Sequence, residues 1–334
     1  MMPLLDTLRP HSIVVFRALQ VGDMLCAAPA FRALRAALPD ARITLVSLPW
    51  AKWFADRFNH YIDEFIGFPG YPGLPEQTPD ISALPWFIAG MQARRFDLAI
   101  QLHGDGSRTN SIVALFGARR RAGFGSASSL GMEEADYLEY PEREHEVIRL
   151  LRLMEFIGAS RVGDHMELPI SAADEMELAR FGVATQAPAG HYVCLHPGAR
   201  SASRRWPPRC FAKVGDYLHF EHGLDIVLTG SASDASTNSL VARAMRAPVI
   251  DAAGPISIGA MAALMQRARL LISNCTAASH IAVGLQLPSI VVFTDSDLKR
   301  WAPLDASRHH AVWDPDGSHV DEVIRYAGEL LRPE

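Results

Sequence analysis

The sequence predicts an α/β protein built as two doubly wound, parallel-sheet domains. Three observations lead there: a length of 334 residues, apolar strand-like segments alternating with helix-periodic ones in both halves, and small polar or glycine-containing clusters at the strand ends. A chain of this length exceeds the size at which one core usually stops growing, so two domains of roughly 150 residues each follow. Regular strand-helix alternation implies parallel sheets covered on both faces.

In the first half, "SIVVFRAL" reads as a strand. From Asp23 the apolar positions Met24, Ala28, Phe31, Leu34 and Leu38 recur at helical spacing up to Pro39. Strand "RITLVSL" (42–48), a short helix near 49–58 and strand "EFIGF" (64–68) follow, then a Pro/Gly-rich loop from Pro69 to Pro85. Strand "DLAIQLHG" (97–104), a helix across 108–116, a strand near 119–124 and a helix across 144–157 complete this half.

The second half opens after "ATQAPAG" (184–190), which reads as a linker. Its strands are "HYVCLHPG" (191–198), "LDIVLTG" (224–230), "ARLLISN" (268–274) and "PSIVVFT" (288–294), with helices near 208–221, 233–245, 257–267 and 277–285. The expected domains are therefore 1–175 and 186–315, with 316–334 a C-terminal helix able to pack on either, including back on the first.

Composition narrows the function classes. With 49% hydrophobic and 21% charged residues the chain is ordinary for a globular protein. The net charge of −5 argues against an electrostatically driven nucleic-acid partner. Cys26, Cys194, Cys210 and Cys275 are scattered without a C-x-x-C pair, which fits a reducing, cytoplasmic location. The N-terminal apolar run is broken by Asp6, Arg9 and Pro10, so no signal peptide is expected. The longest apolar stretches, such as "LPSIVVF" (287–293), fall far short of the ~20 residues of a membrane helix.

In doubly wound sheets ligands bind at the carboxyl ends of the strands. Four candidate clusters fall there: Gly22-Asp23, His103-Gly104, His196-Pro197-Gly198 and Asn274 to His280. Two such domains facing each other would form a central cleft. In "SNCTAASHIAVGLQLP" (273–288) the hydroxyls of Thr276 and Ser279 precede His280 in a first helical turn, where free N–H groups favour an anion. The plainer reading is a helix cap with a packed histidine. "HPGARSASRRWPPRCFAKV" (196–214) offers Gly198 and three arginines, Arg200, Arg204 and Arg205, suited to a diphosphate unless the loop is simply solvated. Gly230-Ser231 in "LTGSASDAST" (228–237) and Asp251 in "VIDAAGPIS" (249–257) add strand-end loops, Asp251 as a partner for a ribose hydroxyl.

These segments, together with "RALQVGDMLCAAPAFRALRAALP", "FDLAIQLHG", "LTGSASD" and "TDSDLKRWAP", resemble glycosyltransferase family 9, the bacterial heptosyltransferase-like family with the GT-B fold of two Rossmann-like domains. The resemblance runs in order through most of the chain. It implies an N-terminal acceptor domain and a C-terminal domain for the nucleotide-sugar donor. Asp23 then matches the family's general base, with Gly22 and His103 on the acceptor side. Arg204 stands where the family commonly has a lysine on the donor phosphates. Thr276 and His280 match the diphosphate-binding helix terminus beside Asn274, and Asp251 falls near a ribose-contacting acidic position. Cys275 and Ala277 depart from the family's usual Asp and Gly.

The implied activity is inverting sugar transfer, without metal, from an ADP-heptose-like nucleotide-diphosphate sugar to a lipopolysaccharide-core or other glycan or lipid-linked acceptor. The alternative is a nucleotide-sugar-binding member with an altered donor or little transfer. No cofactor is expected. The D-x-D triplets at 295–297 and 314–316 resemble cation-binding pairs of another glycosyltransferase fold but read here as chance occurrences. "RRR" (119–121) reads by default as a solvated face. A monomer is expected, with peripheral contact at the inner face of the cytoplasmic membrane compatible with the acceptor class. The loop 68–87 is long enough to grip the acceptor.

Overall fold

Each half of the chain gathers its apolar strand segments into one six-stranded sheet. In the computed structural model, which describes residues 3–125, 135–182 and 186–332, the first sheet contains β1 (Ser12–Phe16), β2 (Arg42–Ser47), β3 (Glu64–Gly67), β4 (Leu98–Gln101), β5 (Arg120–Phe124) and β6 (Ala135–Leu138). The second contains β7 (Tyr192–His196), β8 (Asp225–Leu228), β9 (Val249–Asp251), β10 (Leu271–Asn274), β11 (Ser289–Phe293) and β12 (His309–Trp313). Their orders are β3-β2-β1-β4-β5-β6 and β12-β11-β10-β7-β8-β9. Every pairing is parallel.

Counted from its own first strand, each sheet thus has the 3-2-1-4-5-6 order of a doubly wound nucleotide-binding fold. The order reverses between β1 and β4 in one unit and between β7 and β10 in the other. Loops leaving those strands diverge to opposite faces, so a crevice opens at the carboxyl edge there. The central strands are buried on both faces, which is why Ile13–Phe16 and Ile290–Phe293 read as unbroken apolar runs.

The chain divides into two compact units, Met1–Met166 and Glu167–Glu334. The division lies earlier than the expected boundary at 175 and the linker at 184–190. The cause is a helix, Ala172–Phe181, opened by a Ser171/Asp174 capping box. It packs on the helix Ile258–Gln266 of the second unit, where Glu177 accepts from Ser257 N and Oγ at 2.8 and 2.6 Å. Of the expected linker, 184 and 185 lie outside the described residues.

The C-terminal helix Val320–Leu330 buries Val320, Val323 and Ala327 in the second unit's core with Leu218 and Phe211. Three strands had no sequence reading, β6, β9 and β12, and the helix Leu84–Ala93 begins inside the expected loop. Its Pro85 marked a loop end in the sequence but occupies the first turn, where proline's missing N–H costs nothing. Among the described residues no helix is long and apolar enough to cross a membrane.

Candidate active site

In the first unit the candidate residues follow β1 and β4, at the order reversal. The chain leaves β1 through Arg17 and turns at once into the helix Val21–Leu25. Gln20 is its N-cap, so Gly22 and Asp23 lie inside the first turn and Asp23 does not cap the helix. The helix ends at Leu25 and a second one runs over Ala28–Ala37, two pieces where one was expected.

Arg17 fixes this turn from beneath. Its side chain is fully buried and donates from Nε and Nη2 to the Asp23 carbonyl at 3.0 and 2.8 Å. Nη1 donates to the Leu102 carbonyl, and Nη2 also meets Glu146 Oε1 at 3.0 Å. Glu146 is held in turn by Arg149 at 2.6 Å. One guanidinium therefore joins the loops after β1 and β4 and satisfies its buried charge on a carboxylate.

His103 stacks on Phe16 with ring centroids 5.5 Å apart. The Ala18 N–H donates to its Nδ1 at 3.3 Å, so that nitrogen keeps its lone pair and the ring proton sits on Nε2. Nε2 faces Glu76 Oε1 at 3.5 Å. Burial, with the Arg17 charge second, pushes the His103 pKa down to about 4 and leaves the ring neutral at pH 7. Burial first, then the charge of Asp23, raises the Glu76 pKa, while Arg108 opposes the rise. Arg108 itself donates to the Gly73 carbonyl at 2.6 Å.

Asp23, Glu76 and His103 thus share one electrostatic neighbourhood. Glu76 and Arg17 had no sequence signal: Glu76 comes from the loop after β3, more than fifty residues from Asp23, and Arg17 sits within a strand-like run.

In the second unit the corresponding residues follow β7 and β10. The loop after β7 is closed at both ends by one buried amide. Asn274 Oδ1 accepts the Trp206 N–H at 2.9 Å, and Asn274 Nδ2 donates to the Pro197 and Gly198 carbonyls at 2.8 and 3.4 Å. Its amide oxygen and nitrogen thus both bond to the chain itself. Trp206 is pinned again through its indole N–H, 2.8 Å from Asp314.

Arg200, Arg204 and Arg205 project from this loop and are exposed. Arg205 donates from Nε to the Ala199 carbonyl at 2.9 Å, and Arg204 is near enough to Cys275 to act on its thiol. The helix Ala277–Gly284 begins beside them, with Thr276 at its N-cap. Among the described residues the Thr276 Oγ1 has no hydrogen-bond partner. His280 lies buried one turn in, its ring edge-on to Trp301 at 5.8 Å.

Gly198 and Gly230 converge on one side chain. A Cβ at Gly198 would lie 2.3 Å from Asp234 Oδ1, and one at Gly230 would lie 2.8 Å from Asp234 Cβ. Asp234 needs that space because it accepts from Ser231 N and Oγ at 2.9 and 2.7 Å. Asp251, at the end of edge strand β9, is exposed and accepts from Asn238 Nδ2 and Ala253 N, both at 3.0 Å.

The two D-x-D triplets have structural work. Asp297 caps the helix Leu298–Trp301. Asp314, wholly buried, accepts from Trp206, Gly317, Ser318 and His319. Among the described residues no group of three His, Cys, Asp or Glu is placed to hold a metal ion.

Comparison with known proteins bears on the family and on the fold of the chain. The family model for glycosyltransferase family 9 (heptosyltransferase) matches residues 87–321. Lipopolysaccharide heptosyltransferase 3 of Escherichia coli (strain K12) is 26% identical over 295 residues, covering 84% of this chain and 82% of that protein. A family 9 glycosyl transferase from Veillonella parvula DSM 2008 superposes with a TM-score of 0.82 at 22% identity, over 96% of this chain and 97% of that one. The E. coli ADP-heptose lps heptosyltransferase II does so with a TM-score of 0.75 at 20% identity, over 96% and 98%.

Proposed function

The chain belongs to glycosyltransferase family 9 and is a glycosyltransferase, and on that premise we propose that it transfers a heptose-like sugar from a nucleoside-diphosphate donor to a hydroxyl of a lipopolysaccharide-core acceptor, with inversion and without metal. An ADP-sugar is the preferred donor, a reading supported by the likeness to the E. coli ADP-heptose lps heptosyltransferase II. The reaction takes place on the cytoplasmic side, and the protein acts as a monomer.

The residues of each unit have separate duties. Asp23 takes the proton as the acceptor oxygen forms its bond to the anomeric carbon. The bond from that carbon to the diphosphate oxygen breaks with its electron pair, and the nucleoside diphosphate leaves. Arg200, Arg204 and Arg205, with the N-terminus of the helix Ala277–Gly284 and the Thr276 hydroxyl, meet the charge that develops on the diphosphate. Asp251 accepts from the ribose. Attack opposite the leaving group inverts the centre, and no covalent enzyme intermediate forms.

The observation that carries this reading is the convergence at the β7/β10 switch point of three exposed arginines and a helix N-terminus whose cap hydroxyl has no hydrogen-bond partner among the described residues. The test is to incubate the protein with ADP-, GDP- and UDP-sugars and a truncated lipopolysaccharide acceptor, with and without EDTA. Acceptor-dependent release of ADP, unaffected by EDTA, is expected. Asp23→Asn should lower kcat by about 10²–10⁴ with the donor KM little changed. Transfer that survives this substitution would overturn the base assignment; donor binding without release would turn the reading to a binding protein.

A further inference from the structure

The helix Leu84–Ala93, "LPWFIAGMQA", contains no charged residue. One face packs into the first unit: Phe87 lies 5.7 Å from Phe68 and 5.9 Å from Phe116 between ring centroids, and Met91 is buried. A surface helix anchored on one side normally shows water a charged opposite face. Here the opposite face is Trp86, Ala89, Gly90 and Ala93, all exposed. Trp86 is 81% exposed and Ile81, just before the helix, 58%. Leu115 extends the patch at the helix end, where its carbonyl accepts from Gln92 at 3.0 Å.

Arginines border this face. Arg94 and Arg95 follow the helix and are exposed. Arg119, also exposed, lies alongside, its N–H donating to the Phe96 carbonyl at 2.9 Å. Arg94 and Arg42 share Glu64, at 2.7 and 3.2 Å. Asp97, the other carboxylate among them, is turned onto the His11 and Ser12 N–H groups. Four arginines against three carboxylates, Asp80 beside Ile81 included, leave the border positive by one charge. Asp80, beside Ile81, folds back onto Ser82 Oγ at 2.6 Å.

We propose that this face docks the first unit on a bilayer surface bearing anionic phospholipid headgroups. Tryptophan prefers the headgroup level of a bilayer, where its ring is half apolar and its N–H stays solvated. An uncharged helix face lying in that plane, with arginines meeting the phosphates, is the geometry of an interfacial helix. A helix that connects parallel strands runs antiparallel to them, so the Trp86 end lies toward the carboxyl edge of the sheet. Asp23 and His103 lie on that same edge, which brings the docked face and the first unit's site to one side of the unit.

The test needs no sugar donor or acceptor, so its outcome is separate from that of the transfer assay. Full-length protein is floated with vesicles of phosphatidylethanolamine containing phosphatidylglycerol, and with phosphatidylcholine vesicles as the neutral control. The wild type should float with the anionic vesicles and much less with the neutral ones. Trp86→Ser with Ile81→Ser should cut the bound fraction at least about fivefold, and Arg95→Glu with Arg119→Glu should abolish the preference for anionic lipid. Unchanged melting temperatures would show that these exposed substitutions leave the fold intact. A wild type that stays with the soluble fraction, or a Trp86→Ser/Ile81→Ser variant that floats equally, overturns the proposal. So does sedimentation velocity showing a Trp86-dependent dimer without vesicle binding, since a second copy would then be the occupant.

Discussion

Arg17 grips Asp23 by its backbone: two guanidinium nitrogens donate to the Asp23 carbonyl at 3.0 and 2.8 Å. The arginine thereby sets where the first turn of the helix Val21–Leu25 stands. Its own charge is balanced on Glu146, whose side chain is 4% exposed. Removing one member of a buried pair strands the other.

Arg17→Met should therefore destabilise the protein by about 3–5 kcal/mol, as should Glu146→Leu. In urea unfolding the double variant should recover part of that loss. Full additivity of the two losses would contradict the pairing.

Gly198→Ala should fail for a different reason, because its Cβ meets the Asp234 carboxylate at 2.3 Å. Asp234 must swing away and release Ser231, at a cost of about 1–3 kcal/mol. Combining Gly198→Ala with Asp234→Ala removes the clash, so the double variant should be more stable than the sum of the singles requires. Thermal melts of the four proteins give the coupling.

Acid should weaken the fold through two histidines. Burial holds both His103 and His309 down to about 4 in the folded protein, and the unfolded chain protonates near 6.5. The unfolded state therefore binds more protons below pH 6.5. The stability is fully present above that pH and is lost as pH falls toward 4, with a slope of up to about 1.4 kcal/mol per pH unit for each group. His309→Gln, at the residue bonded to Ser289 Oγ at 2.8 Å, should flatten the slope in urea titrations from pH 7 to 4.5.

The cysteines should be silent in the folded state. All four are buried, and burial pushes the Cys275 thiol up to about 11, with Arg204 only partly opposing it. Thiolate is the reactive form. Ellman's reagent at pH 8 should label no thiol until denaturant is added and four thereafter; rapid labelling in buffer would contradict the burial of Cys275.

Much of this was legible in the sequence where chemistry and periodicity coincide. β1, β7, β10 and β11 were readable because central strands of parallel sheets are continuous apolar runs, and the polar clusters after them marked the ligand edge. β9 and β12 were harder. Val249–Asp251 has only three residues, and His309–Trp313 carries two histidines, so neither shows an apolar run.

The site split in the same way. Asp23, His103 and the arginines stand in strand-end segments that the sequence singles out as candidates. Glu76 does not, because its neighbourhood with Asp23 and His103 is made by a long loop whose path no local pattern encodes. Asn274 shows a role the sequence did not announce: its amide joins two backbone segments of the loop after β7.

That amide has a consequence for how this protein can change. Because one side chain clasps the segment at Gly198 and again at Trp206, the residues between form a cassette whose ends are fixed independently of their content. Basic side chains can be exchanged or moved along it while its frame stays shut. An arginine at 204, in place of the lysine that the resemblance leads one to expect, is a change such a cassette tolerates without drift in the fold.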